Sequence, residues 1–293
     1  MFQLEYVKHD QDVRFPLKHY LSFLILVTLF LNGCSFSSFG RNLGTAILEQ
    51  NDPEIVAQGV PTLLLTLDAL RQEAPEDSEL LLAASRLNAL YASRFTETPA
   101  RTKLLADKSL ILAEKALCLE ESGACGLRYL PFESYRQRVA SLDDDLDPHL
   151  FTVSLAWLIS IRANRSDWQA LAELPKVEIL LEQILTHDNR YGEGDVHLYL
   201  GILKSLRPAA LGGDPESGRQ HFEEAIRISG DVNLTAKVEF ARTYARLMYN
   251  RKLHDRLLKE VIRAPLEAKG RTLMNTFAKR EAQELLASAE DYF

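Results

Sequence analysis

The chain of 293 residues is short of the residues that punctuate structure. Its 14 glycines and 11 prolines make about one residue in twelve, where an average globular chain has nearer one in eight. Cysteine occurs three times, too rarely for a disulfide scaffold. Positive charge is outnumbered: 34 Lys+Arg face 41 Asp+Glu, for a net charge of −7. That balance disfavours a sequence-independent nucleic-acid binder. The uncharged run Tyr20–Leu31 has twelve residues, short of the ~20 that span a bilayer. What is present is 46% hydrophobic, which excludes a disordered chain. Low Gly and Pro with abundant Leu and Ala lean toward helices.

Residues 1–33 read as an address. The run Tyr20–Leu31 fits the apolar core of a signal peptide, with Arg14, Lys18 and His19 before it. Leu31-Asn32-Gly33-Cys34 follows it and resembles a bacterial lipobox. Cys34 is then the acylated first residue of the mature chain, 260 residues long and carrying all of the −7. Anchorage is expected from acyl chains, not from attraction to anionic lipid, because two chains already hold firmly. Ser35 stands where inner-membrane retention would favour Asp, which points to the outer membrane. Residues 1–12 carry Glu5, Asp10 and Asp12 against Lys8 alone, the wrong sign for a signal peptide. A true start at Val13 would remove the conflict.

After a tether at 34–41, the domain 42–293 reads as helices throughout. Asp52-Pro53, Thr98-Pro99, Asp147-Pro148 and Asp214-Pro215 each place a capping side chain before a proline at the first helical position. The expected helices are Leu43–Gln50, Pro53–Glu73 (bent near Pro61), Glu79–Phe95, Pro99–Glu120, Phe132–Ser141 and Pro148–Ala163. Trp168–Leu174, Val177–His187, Val196–Leu206, Pro215–Ser229, Leu234–Tyr249, His254–Ala264 and Leu273–Ala289 complete the set. One stripe runs through Leu80, Ala83, Ala84, Leu87 and Tyr91, another through Phe240, Tyr244, Leu247 and Met248.

Short antiparallel helices invite a search for repeats. Gly201, then Gly218, Phe222 and Ala225, match the small–small–aromatic–small positions of a tetratricopeptide pair. Ala241 and Tyr244 match the next repeat, and Ala116, Ile184, Ala225 and Ile262 fall at equivalent second-helix positions. The predicted fold is all-α, with TPR-like antiparallel helix pairs in a compact array.

At this point the residues resemble the TatT family of TRAP-transporter-associated lipoproteins. The carrying blocks are Pro208–Glu216 with Gly218–Ile226, Asp167–Pro175, Tyr191–Gly201, and the tail from Leu273 to Leu286. Their order and spacing match, and no single block decides. The resemblance implies a periplasmic, lipid-anchored, all-helical trimer associated with a TRAP-type substrate-binding protein. It also implies a cleft in each subunit for a hydrophobic ligand of unspecified identity. Pro208 and Gly212-Gly213 have a structural explanation as a helix stop and a tight turn.

The usual constellations of catalysis are missing. The seven histidines form no HExxH and no i, i+4 pair, so no metal site is expected. His221 and Glu224 share a helix face and read as a surface pair. Asp143–Asp147 lacks the glycine and glutamate of a calcium loop and reads as an acidic turn. No nucleophile comes with an evident base. In an oxidising periplasm, Cys118 and Cys125 are expected to form a disulfide, two free thiols being the alternative. Trp157, Trp168, Tyr199, Phe240 and Tyr244 are core residues on one reading and groove lining on the other. The expectation is a non-enzymatic, cofactor-free accessory lipoprotein of a TRAP system. It would be held to the periplasmic side of the outer membrane, bind the substrate-binding protein as a homotrimer and receive an apolar ligand. The alternative is a TPR-type lipoprotein scaffold for envelope or secretion assembly.

Overall fold

The computed structural model describes residues 43–293. The signal segment 1–33, Cys34 and the tether 34–41 lie outside the described residues. Residues 43–48 are helical. Thirteen α-helices follow, and no strand occurs among the described residues. They are α1 (Pro53–Glu73), α2 (Ser78–Arg94), α3 (Pro99–Glu120), α4 (Phe132–Val139), α5 (Asp147–Ala163), α6 (Trp168–Ala172) and α7 (Leu174–His187). Then come α8 (Asp195–Lys204), α9 (Pro215–Ser229), α10 (Leu234–Phe240), α11 (Arg251–Arg263), α12 (Thr272–Ala287) and α13 (Ala289–Tyr292).

The capping signals explain where these helices start. Asp52, Thr98 and Asp214 each accept a backbone N–H of the first turn, from Glu54, Arg101 and Ser217. Each cap is worth about 1 kcal/mol. Asp147 departs from the expectation. Its carboxylate does not cap α5; Oδ1 accepts from His187 Nδ1 at 2.8 Å, tying the start of α5 to the end of α7. Burial raises the Asp147 pKa against the pull of that imidazole. Pro61 stays within a single helix, α1.

The helices pair as expected: α2 with α3, α5 with α7, α8 with α9, and α10 with α11. The first helices of the pairs also touch in succession: α2 meets α5, α8 meets α10, and α10 meets α12. The tetratricopeptide positions are packing positions. A Cβ on Gly201 would stand 2.9 Å from the Phe222 ring, and one on Gly218 would stand 2.2 Å from Ser205 Oγ. Absent side chains there let α8 and α9 close on each other. Phe222 then stacks on Phe240 at 5.0 Å, linking this pair to the next. In α11 the fully buried aliphatic positions are Leu258 and Val261, beside His254, while Ile262 is only partly buried. The repeat register there lies one residue earlier than the sequence indicated.

The pair α2/α3 uses a different device. Its core stripe is Leu81, Leu82, Ala84, Ser85, Asn88, Ala89, Tyr91 and Ala92; Ala84 and Tyr91 of the expected stripe are buried, while Leu80, Ala83 and Leu87 lie off it. Ser85 Oγ donates to Ser109 O at 2.8 Å, and Ser109 Oγ returns a bond to Ser85 O at 2.8 Å. Small hydroxyls bonded across the interface allow close approach without an unpaired buried polar group. Two larger cores lie beyond. One is centred on Tyr135, Leu150, Trp157, Leu180 and Ile184, the other on Phe222, Phe240, Leu258 and Ala282. Between Ala241 and Ala245 the helix after α10 widens into a π turn. The wider turn slips the helical phase, and Met248 emerges half-exposed instead of continuing the stripe of Phe240 and Tyr244.

Cys118 and Cys125 are joined at the end of α3, with Cα atoms 4.5 Å apart. The bond closes the short loop that leads through Ser122–Ala124 and Leu127–Tyr129 into α4.

Candidate functional site

The first helices of the pairs share one connected set of polar and aromatic side chains. From α2, Arg86 Nε donates to Thr152 Oγ1 of α5 at 2.9 Å. Next to Thr152, Phe151 meets Tyr191 edge-on at 5.5 Å and Tyr199 of α8 at 6.1 Å. Tyr199 sits in the fields of Asp195, Arg94 and Glu239, and burial drives its phenol far above the ordinary value. Glu239, on α10, is held by Arg242 in the π turn. Arg242 Nη2 donates to Glu281 Oε2 of α12 at 2.6 Å, and Arg94 Nη1 of α2 reaches Glu281 Oε1 at 2.5 Å.

An ion pair therefore links α2 to α12. Apolar contacts reinforce the join. Phe95 packs edge-on to Phe277 at 5.6 Å, and the Arg94 guanidinium lies 5.2 Å from the Phe277 ring centre. The two carboxylates respond in opposite directions. Burial raises the Glu239 pKa above the usual range despite Arg242. Burial also opposes ionisation of Glu281, but two guanidiniums outweigh it and hold its pKa down. At neutral pH the site is a network of two arginines and two glutamates, set among Tyr199, Phe95 and Phe277.

The five aromatics singled out from the sequence do not meet in one groove. Tyr199 alone belongs to this inner set. Trp157 is 1% exposed in the first core, and its Nε1 donates to Glu173 Oε2 at 2.7 Å. Phe240 and Tyr244 are buried in the second core, 5.4 Å apart. Trp168, at the start of α6, is 83% exposed. Neither a surface hollow of about 320 Å³ beside Asp68, Arg71 and Lys108, nor one of about 380 Å³ beside Arg190, Val232 and Lys269, includes any of the five.

Two histidine contacts were invisible in the sequence. His197 Nδ1 and His221 Nδ1 lie 2.8 Å apart, and His197 Nε2 donates to Asn189 O at 3.1 Å. With that proton committed, His197 Nδ1 accepts and His221 Nδ1–H donates, both rings being neutral. Burial, then the neighbouring His197 and Lys204, hold His221 down to about 4. Glu224, the expected surface partner of His221, is taken by Arg227 instead. The second contact joins His149 Nε2 to Ser78 Oγ at 2.8 Å. Both are buried, and His149 Nδ1 has no partner to orient the ring, so the contact pins α2 to α5. Among the described residues no group of three or more His, Cys, Asp or Glu could hold a metal ion. Twenty-four residues of sequence separate His197 from His221, and only the α8/α9 pairing brings them together.

The blocks that carry the family resemblance are structural staples. Gly194 takes φ 91°, and a Cβ there would sit 3.0 Å from Ala225 O. Arg271 Nη1 donates to Asp195 Oδ1 at 2.9 Å, as does Asn233 Nδ2. Asn275 Nδ2 donates to the carbonyls of Val232 and Leu266, while its Oδ1 accepts from Leu234 N. These bonds tie together the N-terminal ends of α8, α10 and α12, the helices that carry Tyr199, Glu239 and Glu281.

Fold and site together describe an array of helix pairs whose first helices share a largely buried ion-pair network. The class is that of helical-repeat accessory proteins. A family profile described as TRAP transporter T-component matches residues 49–293, and the chain belongs to that family. No curated protein is similar enough to the chain to count as a match.

Proposed function

We propose that this chain is a lipid-anchored periplasmic component of a TRAP-type transport system. In this reading it binds the system's substrate-binding protein and passes an apolar solute along its inner layer. Membership of the T-component family over residues 49–293 carries the accessory role. No described helix is long and apolar enough to cross a membrane. Acylation at Cys34, after removal of residues 1–33, supplies the anchor, and Ser35 directs the chain to the outer membrane. Three copies form the working unit. Tethering helps by raising effective concentration, so the contact with the soluble partner need not be tight. Tyr199, Phe151 and Phe277 offer the apolar solute its contact surface beside the ion-pair network.

Gentle crosslinking and co-isolation from native membranes tests this reading. The expected result is a TRAP substrate-binding protein recovered with the chain and an apolar small molecule retained in native mass spectra. Recovery of envelope-assembly proteins, with neither of those, would favour the scaffold alternative.

A further inference from the structure

Helix α1 is the least satisfied element of the array. Residues 55–67 carry no charge, yet only Pro53, Val56 and Val60 of the whole helix are buried. Leu67 packs against the small core that Leu81, Leu82 and Ala84 of α2 form with Leu112 and Ala116 of α3. Helix α1 packs on α2, and two lysines of α3 reach across to it: Lys108 Nζ bonds Asp68 Oδ2 at 2.6 Å, and Lys115 Nζ bonds Pro75 O, just past the end of α1, at 2.7 Å. The outer faces of α1 and α3 leave Ile55, Leu65, Leu104 and Ile111 between 57% and 71% exposed. On α3, the order Arg101, Leu104, Lys108, Ile111, Lys115, Leu119 follows helical spacing along one side. Large aliphatic groups interleaved with long cationic stems form the pattern of a helix lying at a lipid interface. Asp68 and Asp107 beside this stripe are each tied to a lysine.

We propose that the α1/α3 face rests on the phospholipid surface and fixes the orientation of the array on the membrane. This rests on the lipoprotein reading for its anchor. Only residues 34–42 separate Cys34 from the first described turn, at most about 30 Å of extended chain. An acyl anchor this close in sequence keeps the chain at the membrane, so a weak interfacial preference of the face suffices. Lys115, bonded to a backbone carbonyl and not to a carboxylate, and Arg101 complement anionic headgroups locally, although the whole chain is acidic. Anchorage comes from the acyl chains and orientation from this face.

The test uses the full chain in vesicles of phosphatidylethanolamine and phosphatidylglycerol, with a nitroxide on Leu65→Cys or Ile111→Cys. A label on Leu211→Cys, an exposed residue outside the face, is the control. The ratio of collisions with oxygen to collisions with a polar nickel chelate should be several-fold higher at 65 and 111 than at 211. It should fall in vesicles of phosphatidylcholine or with Lys108→Glu and Lys115→Glu together. Equal ratios at all three positions overturn the proposal. So does dipolar broadening between labels at 65 or 111, which would assign the face to a second copy. The mass of the Cys34 peptide is read from the same sample. Immersion with an unmodified Cys34 would sink the anchor and leave this face standing; acylation without immersion would sink this face alone.

Discussion

Arg242 and Arg219 each bind two glutamates, and the two clusters behave differently. Arg219 reaches Glu216 and Glu223, all three on α9 at i, i+3 and i, i+4 spacing. Both carboxylates are more than half exposed. Arg242 reaches Glu239 and Glu281, whose side chains are 14% and 22% exposed. Arg94, 187 residues away from Glu281 in sequence, completes the inner cluster. The outer cluster decorates a helix that would form without it. The inner one joins α2, in the first pair, to α12 near the end of the chain. Identical chemistry thus has local consequences outside and tertiary consequences inside, because desolvation magnifies an unpaired charge.

Removing charge from the inner cluster should have the largest effect. Glu281→Gln leaves Arg94 without its carboxylate partner and Arg242 with Glu239 alone. A loss of about 3 kcal/mol is expected in urea denaturation, with faster hydrogen exchange at the α2/α12 contact. The disulfide comes next. Changing Cys118 and Cys125 to serine opens a closure of eight residues, expected to cost about 2 kcal/mol by chain entropy. The effect should be confined to the loop before α4, and alkylation without reduction should label neither thiol in the parent.

A smaller, pH-dependent effect belongs to His221. Its folded pKa, about 4, lies below the ordinary 6.5, so the unfolded chain binds more protons between those values. Stability should therefore be complete above pH 6.5 and fall as pH drops toward 4. His221→Gln should flatten that slope by about 1–2 kcal/mol, allowing for water at the ring edge. Last, Glu216→Gln should leave the melting temperature unchanged within error. A Glu216 effect comparable to that of Glu281 would erase the distinction between the two clusters.

Much of the fold was legible because it rests on local chemistry. Asp52, Thr98 and Asp214 cap as their sequence positions imply, and Gly201, Gly218 and Phe222 pack as the repeat pattern requires. Asp147 was misread because capping competes with a tertiary partner, His187, that only α7 can deliver. The stripe on α2 was misplaced because Ser85 and Asn88 look like surface residues until Ser109 and the Ala84 carbonyl satisfy them. Met248 fell out of its stripe because a π turn leaves no mark in apolar spacing. The inner layer was the least legible part. Arg94, Glu239, Arg242 and Glu281 read one by one as solvated charges, and Tyr199 alone among the aromatics pointed to them.

The central claim is that the inner layer, not the outer, serves transport. It is tested most directly by titrating the TRAP substrate-binding protein of the same system against the full chain in vesicles. Phe151→Glu places a charge on the inner set, and Glu216→Gln changes only the outer surface. Saturable binding of ligand-loaded partner, with transfer of the solute impaired at least tenfold by Phe151→Glu and untouched by Glu216→Gln, is the predicted result. Absence of binding, or equal transfer by both variants in a folded state, would contradict it.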